Sequence, residues 1–194
     1  ASVTLLERMD RPGRKLRICG KGRGNIGNTA PLDEFLTHFG KNFRFLRPAL
    51  GHFFTKDTIE LLHSLNVPTK EERGGRLFPE SDSAQDLVDA FVRHARTQGV
   101  TIRTGCRVRS VSRQGDGFEV GFGSQSLTAD RIILTTGGAS YPATGSTGDG
   151  YELAKSLGHA IVPIAPALIP LVTEGDTASR LQGLSLKNVR VELR

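Results

Sequence analysis

The stretch "SAQDLVDAFVRHARTQGVTIRT", residues 83–104, limits the possible folds more than any other. Leu87, Val88, Phe91, Val92 and Ala95 fall on one stripe of an α-helix. Ser83 suits the N-cap, Gly99 suits the C-terminal stop, and "VTIRT" reads as a strand. Helix, glycine, strand is the ordinary punctuation of a βαβ unit, so the chain is expected to be an α/β protein built on a parallel sheet. Two further runs fit that sheet. "SVTLLE", near the start, and "RIILTTGG", residues 131–138, each read as a strand buried on both faces.

Other segments have different periods. From Pro31 to Leu65 the pattern is helical, with Leu32, Phe35, Leu36 and Phe39 in one segment and Ile59, Leu61, Leu62 and Leu65 in another, the latter capped by Thr55. Gly74-Gly75 reads as a turn between two short extended pieces. Residues 106–130 alternate apolar with polar around turns at 115–117 and 123, which predicts a small antiparallel meander. "TGDGYELAKSLGH" predicts a helix ending at Gly158. Beyond Ala160, the prolines at 163, 166 and 170 argue against a central strand or helix and for a crossover into a second, mostly β segment. The first residues read as a chain entered mid-strand, and "LKNVRVELR" at the end reads as an alternating strand. Both are expected of an internal fragment of a longer protein.

The 194 residues carry a net charge of +6, which permits a polyanionic partner without requiring one. The two cysteines, Cys19 and Cys106, form no C-x-x-C and are expected to be reduced in a cytoplasmic protein. No apolar run is long enough for a membrane span, so no membrane partner is expected. The five histidines are scattered, and no metal site or catalytic triad is expected from them.

Three stretches carry possible chemistry. Glu7, at a strand end, is placed to accept hydrogen bonds from a ribose diol. "GRKLRICGKGRGNIGN", residues 13–28, combines five glycines with Arg14, Lys15, Arg17, Lys21 and Arg23. That mixture suits a phosphate, through cations and clustered backbone N–H groups. Its G-x-G-x-x-G at Gly22, Gly24 and Gly27 is not the first-turn dinucleotide fingerprint, because "NTAPLD" follows where a long helix is required. "TTGGASYPATGSTGDGY", residues 135–151, brings glycines and hydroxyls to a strand end just before a helix. Tyr141 and Tyr151 could donate protons, but a structural role is expected of them.

The segments "LLERMDRPGRKLRICGKGRGN", "FGKNFRFLRPAL", "GRLFPESDSAQDLVDAF" and "TTGGASYPATGSTGDGYELAKSLGH" together resemble the YhiN/BaiN-like NAD(P)/FAD-dependent flavoproteins, a bacterial-type family, over nearly the whole chain. The resemblance implies a glutathione-reductase-type, Rossmann-like FAD-binding domain over residues 1–160, with its first strand missing. It also implies the beginning of an inserted β-rich domain over 161–194. It implies that Glu7 holds the adenosine ribose of FAD, with Arg8, Gly13, Arg14 and Lys15 on the adenosine–pyrophosphate side. Gly20, Gly22, Arg23 and Asn25 would line the diphosphate-to-flavin stretch, and Val108 would meet the adenine through its backbone. Thr136, Gly137 and Gly138 would form a second contact, with Thr147, Gly148 and Asp149 approaching from the far side. The activity implied is hydride transfer from NAD(P)H through flavin to a small organic acceptor, such as an enone-type double bond. The chain departs from the family pattern G-G-G-R-C-N at Lys21 and Gly24.

Two other readings compete. One is a basic nucleic-acid-binding module, supported by the net charge and the GRG loop but opposed by the lack of aromatics interleaved with that loop, so no nucleic acid is expected as a partner. The other is a truncated, non-catalytic fragment.

Overall fold

The computed structural model describes residues 1–166, 172, 174–184, 189–190 and 192. The chain divides into two compact units, Ala1–Ile161 and Val162–Arg194.

In the first unit, β1 (Thr4–Leu6) pairs in parallel with β5 (Thr101–Arg103), Thr4 opposite Thr101 and Leu6 opposite Arg103. This is the parallel pair that the helix–glycine–strand pattern predicts. Its helix, α5 (Ala84–Thr97), starts as the sequence requires: Ser83 Oγ accepts the N–H of Asp86 at 3.3 Å. Gly99 follows the helix at φ +79°, a conformation that costs a residue without Cβ little.

Segment 14–65 is mostly helical: α1 (Arg14–Ile18), α2 (Leu32–Thr37), α3 (Phe43–His52) and α4 (Thr55–Ser64). The helix α1 interrupts the Gly-rich segment, which the glycines alone made look loop-like. Thr55 is not the cap of α4. It is the first helical residue, its Oγ1 donates to the carbonyl of Asn28, and the N–H of Phe54 donates to the Asp57 carboxylate at 2.7 Å. A second sheet has the order β2 (Gly27–Asn28), β4 (Arg76–Pro79), β3 (Thr69–Glu72), all antiparallel, with Gly74-Gly75 at its hairpin. The predicted meander forms as β6 (Val108–Gln114), β7 (Gly117–Phe122) and β8 (Gln125–Ala129), followed by α6 (Asp149–Ser156).

Two apolar clusters hold this unit. Leu62, Val67, Leu87 and Ala90 pack α4 against α5, with Leu16 and Ile26 of the Gly-rich segment laid on them. Val111, Val120 and Leu153 pack the meander against α6, joined by Leu6 and Ile132. Full burial of each large aliphatic side chain contributes about 1.5–3 kcal/mol.

Two expected strands differ from the prediction. β1 is not buried on both faces: Leu6 packs on the second cluster, while Val3 and Leu5 are exposed. Residues 131–136 form no strand, and Ile133 is 86% exposed. A strand is defined by its ladder. Among the described residues β1 has a partner on one edge only, and 131–136 has none.

In the second unit, α7 (Thr177–Arg180) is the one regular element among the described residues. The expected strand over 186–194 lies outside the described residues, apart from 189, 190 and 192.

Candidate functional site

The carboxyl edge of the β1–β5 pair gathers Glu7, the start of the Gly-rich stretch and part of the 135–151 stretch. β1 ends at Leu6, and Glu7 remains tied to the sheet by its N–H to the carbonyl of Arg103 at 2.9 Å. Its side chain turns back, and Oε1 accepts the N–H of Met9 at 2.8 Å. No donor among the described residues meets Oε2. Arg8 crosses to the distant loop, where Nη1 donates to the Gly145 carbonyl, to Thr147 Oγ1 and to Asp149 Oδ2, the last at 3.1 Å. Arg14 reaches the carbonyl of Ala143 at 3.5 Å and pairs loosely with Asp10 at 3.7 Å. Lys15 Nζ lies 3.7 Å from the centre of the Tyr141 ring. Segments 7–15 and 141–149, more than a hundred residues apart in sequence, therefore form one edge of the molecule.

Asp149 is the hub of that edge. Besides Arg8 it accepts two bonds from Arg107, at 2.9 and 3.1 Å, and one from Thr147 at 2.6 Å. The Thr147 hydroxyl and then the Arg107 guanidinium hold its carboxyl below the usual aspartate range. Two guanidiniums on one carboxylate leave the edge with an excess of positive charge. Arg107 was not legible from local spacing, because its partner lies 42 residues away and only the fold joins them.

The loop around Asp149 is tightly set. A Cβ on Gly150 would stand 2.0 Å from Thr136 Oγ1, so residue 150 must be glycine for Thr136 to lie there. The N–H of Gly148 donates to the Gly138 carbonyl at 3.2 Å. Gly137 faces Ser146, and Tyr151 packs beside Gly148 and Gly138. Val108 opens β6 at a bulge and packs on the second cluster.

The second half of the Gly-rich stretch is arranged differently. Arg23 is clamped by two carboxylates: Nη1 and Nη2 donate to Glu72, while Nε and Nη2 donate to Asp82 at 2.9 and 2.6 Å. Its guanidinium also sits 4.3 Å from the Phe78 ring centre. Lys70 completes the cluster on Asp82 at 2.6 Å. Glu72 is held acidic chiefly by Arg23, Asp82 by Lys70 and then Arg23, and Arg23 is driven further from deprotonation by both acids. The N–H groups of Arg23 and Gly24 are spent inside the turn, on the carbonyls of Gly20 and Cys19. Gly24 packs where a Cβ would meet Leu87 at 2.5 Å, and Gly20 where it would meet the Asn25 backbone and Phe78 at 2.9 Å. Gly22 ends a 3₁₀ turn, and Gly27 enters the two-residue β2, so no helix follows the G-x-G-x-x-G. Lys21, standing where the related pattern has glycine, adopts φ +59°.

The buried Nε of Arg17 on α1 has no acceptor among the described residues. A cavity of about 190 Å³ is lined by Arg113, Phe118, Ile132, Leu134, Leu157 and His159, and none of these is an expected cofactor residue.

The HI0933-like protein Rossmann domain matches residues 1–192. The chain belongs to the HI0933-like family. The match bears out the resemblance drawn from the four motif segments, and with it the Rossmann-like α/β class. A 3-dehydro-bile acid delta(4,6)-reductase from Clostridium scindens is 36% identical over 184 residues, 95% of this chain and 44% of that protein. A ribosomal RNA dihydrouridine synthase from Escherichia coli is 30% identical over 183 residues, 94% of this chain and 45% of that protein. The chain thus spans about half the length of the curated relatives it matches. Among solved structures, NikD, an unusual amino acid oxidase, overlaps 72% of this chain and 46% of its own at 15% identity and a TM-score of 0.36. No helix among the described residues is long and apolar enough to cross a membrane.

Proposed function

We propose that this chain forms the adenine-dinucleotide side of an FAD-dependent oxidoreductase. The observation that carries the reading is the convergence of Glu7, Arg8, Arg14 and Lys15 with the 141–149 loop at the carboxyl edge of a parallel strand pair. That edge is where open α/β sheets bind nucleotides. The residues fit the group. Glu7 has one carboxylate oxygen engaged and one open, as a ribose diol requires. Arg14, Lys15 and the partnerless Arg17 Nε supply donors for a pyrophosphate. Gly13, whose Cβ would collide with Val88, lets the chain turn closely between the acid and the cations. Bound there, FAD would supply two-electron hydride chemistry, with NAD(P)H as the proposed donor.

The chain's own part is binding and electrostatics. The Arg8–Asp149–Arg107 junction fixes the 145–149 loop against β1 and the lead-in to β6, so the site's walls are set before a ligand arrives. Arg23, held by Glu72 and Asp82, orders the loop on the β3–β4 hairpin and has little left to offer a phosphate. The names of the two curated relatives both denote reduction of a carbon–carbon double bond. We extend that class to this chain: an organic acceptor whose double bond is conjugated to a carbonyl.

The test is reconstitution of purified full-length protein with FAD, followed by desalting and a visible absorption spectrum. A retained flavin band is expected. Glu7→Gln keeps the acceptor used by Met9 but loses the charge, and should weaken FAD binding about tenfold or more. A colourless full-length protein would refute the reading.

A further inference from the structure

The cavity between the meander and the end of α6 is not used by the proposed cofactor site, and the strand faces explain how it arises. Side chains alternate along a strand, so Val111 and Arg113 face one way on β6, and Val120 and Phe118 share a face on β7. The register sets Val111 opposite Val120 and Arg113 opposite Phe118. Leu157, just past α6, lies four residues beyond Leu153 and on the same side. Val111, Val120 and Leu153 close on one another as the buried second cluster. One step further along, Arg113, Phe118 and Leu157 do not close. The space they leave, about 190 Å³, is completed by Ile132, Leu134 and His159.

Its lining divides into two chemistries. Phe118, Ile132, Leu134 and Leu157 are apolar, and three of them, Phe118, Ile132 and Leu157, also pack on the second cluster. Those walls are therefore fixed by the core. Arg113 and His159 are exposed, and no acid is among the lining residues. The core face of an antiparallel sheet is ordinarily apolar, so a cation at 113 departs from the pattern of its own strand. The Arg113 guanidinium sits 5.3 Å from the Phe118 ring centre, and it has no carboxylate partner and no hydrogen-bond acceptor among the described residues. A guanidinium with unspent donors at the mouth of an apolar chamber complements an anion carried on an apolar body. Size narrows the class further. An apolar cavity of about 150 Å³ accepts one benzene ring. This one has room for a single ring and a carboxylate, and not for several fused rings.

We propose that this cavity is a binding site for a small aromatic carboxylate, with its ring among Phe118, Ile132, Leu134 and Leu157 and its anionic group on Arg113. His159 offers a further ring nitrogen at the rim. The site is distinct from the cofactor edge. Asp149 and Leu157 stand at opposite ends of α6, about 12 Å apart along its axis. The inference does not depend on the flavin reading, because its readout is binding alone.

The experiment is a fluorine NMR titration of full-length protein with 4-fluorobenzoate. Binding is expected with a Kd of about 0.1–1 mM, reversed by unlabelled benzoate. Benzamide has nearly the same shape without the charge, and should compete about tenfold less well. Arg113→Gln should weaken binding about tenfold, and Arg113→Lys should recover part of that loss. Leu134→Trp places bulk against the cavity and should abolish binding. Positions 113 and 134 are exposed, so these variants are expected to fold, with circular dichroism as the check. Arg14→Gln, on the cofactor edge, should leave binding unchanged. Four results would overturn the proposal: no binding by the parent protein below about 10 mM, equal competition by benzamide and benzoate, equal binding by parent and Arg113→Gln, or a loss in Arg14→Gln that matches or exceeds the loss in Arg113→Gln.

Discussion

Removing the carboxylate of Asp149 tests whether the Arg8–Arg107 junction holds the site edge together. Asp149→Ala deletes four hydrogen bonds, one from Arg8, two from Arg107 and one from Thr147. The three ionic side chains are between 23% and 44% exposed, so solvent screens them and each bond contributes at the low end, about 0.5–1 kcal/mol. The sum is about 2–4 kcal/mol. For a chain of this size that lowers Tm by roughly 4–16 °C. Asp149→Asn keeps an acceptor but leaves two guanidiniums facing a neutral amide, and should lose about half as much. The pH dependence has a definite sign. The folded-state pKa of Asp149 is depressed, so its contribution is complete above the unfolded value of about 3.9 and disappears as pH falls through the folded value. The stability gap between parent and Asp149→Asn should therefore be constant at neutral pH and shrink in acid below about pH 4. Thermal scans from neutral to acidic pH read both quantities. A Tm loss under about 1 °C in Asp149→Ala, or a gap that widens in acid, would refute the reasoning.

Two predictions concern the departures in the Gly-rich loop. Lys21 sits at φ +59°, where a side chain is strained, so Lys21→Gly should stabilise the protein by about 0.5–1 kcal/mol in denaturant titrations. Gly24→Cys restores the residue of the related pattern, but φ is +81° and the new Cβ would meet Leu87 at 2.5 Å. It should destabilise by about 1–3 kcal/mol, measured the same way, unless Lys21→Gly is made with it and relaxes the turn.

Elements whose partners are local were legible in the sequence. The stripe of α5, its Ser83 cap and the turns of the meander all follow from short-range spacing, and all form. The family was legible too, because its motifs are contiguous runs. What could not be read were pairings set by the fold. Nothing near Arg23 announces that Glu72 and Asp82 will take its donors, and nothing near Arg107 points to Asp149. The glycines of 20–24 look like openings for a ligand. Two of them, Gly20 and Gly24, instead make room for Phe78 and Leu87. The run at 131–136 misled for a related reason. Apolar composition marks a segment that can enter a sheet, but the ladder needs a neighbour that local pattern cannot supply.

The parallel pairing of Thr4 with Thr101 also has a consequence in time. On the ribosome β1 emerges long before its mate. At about 5–20 residues per second, β1 waits roughly 5–20 s for β5 to be made. The α2–α4 helices and the β3–β4 hairpin can form during that interval. The edge that carries Glu7 and Arg8 cannot, and its closure through Asp149 comes later still. Assembly of this unit therefore runs from the middle of the chain outward, and β1, made before every other described strand, is among the last to be secured.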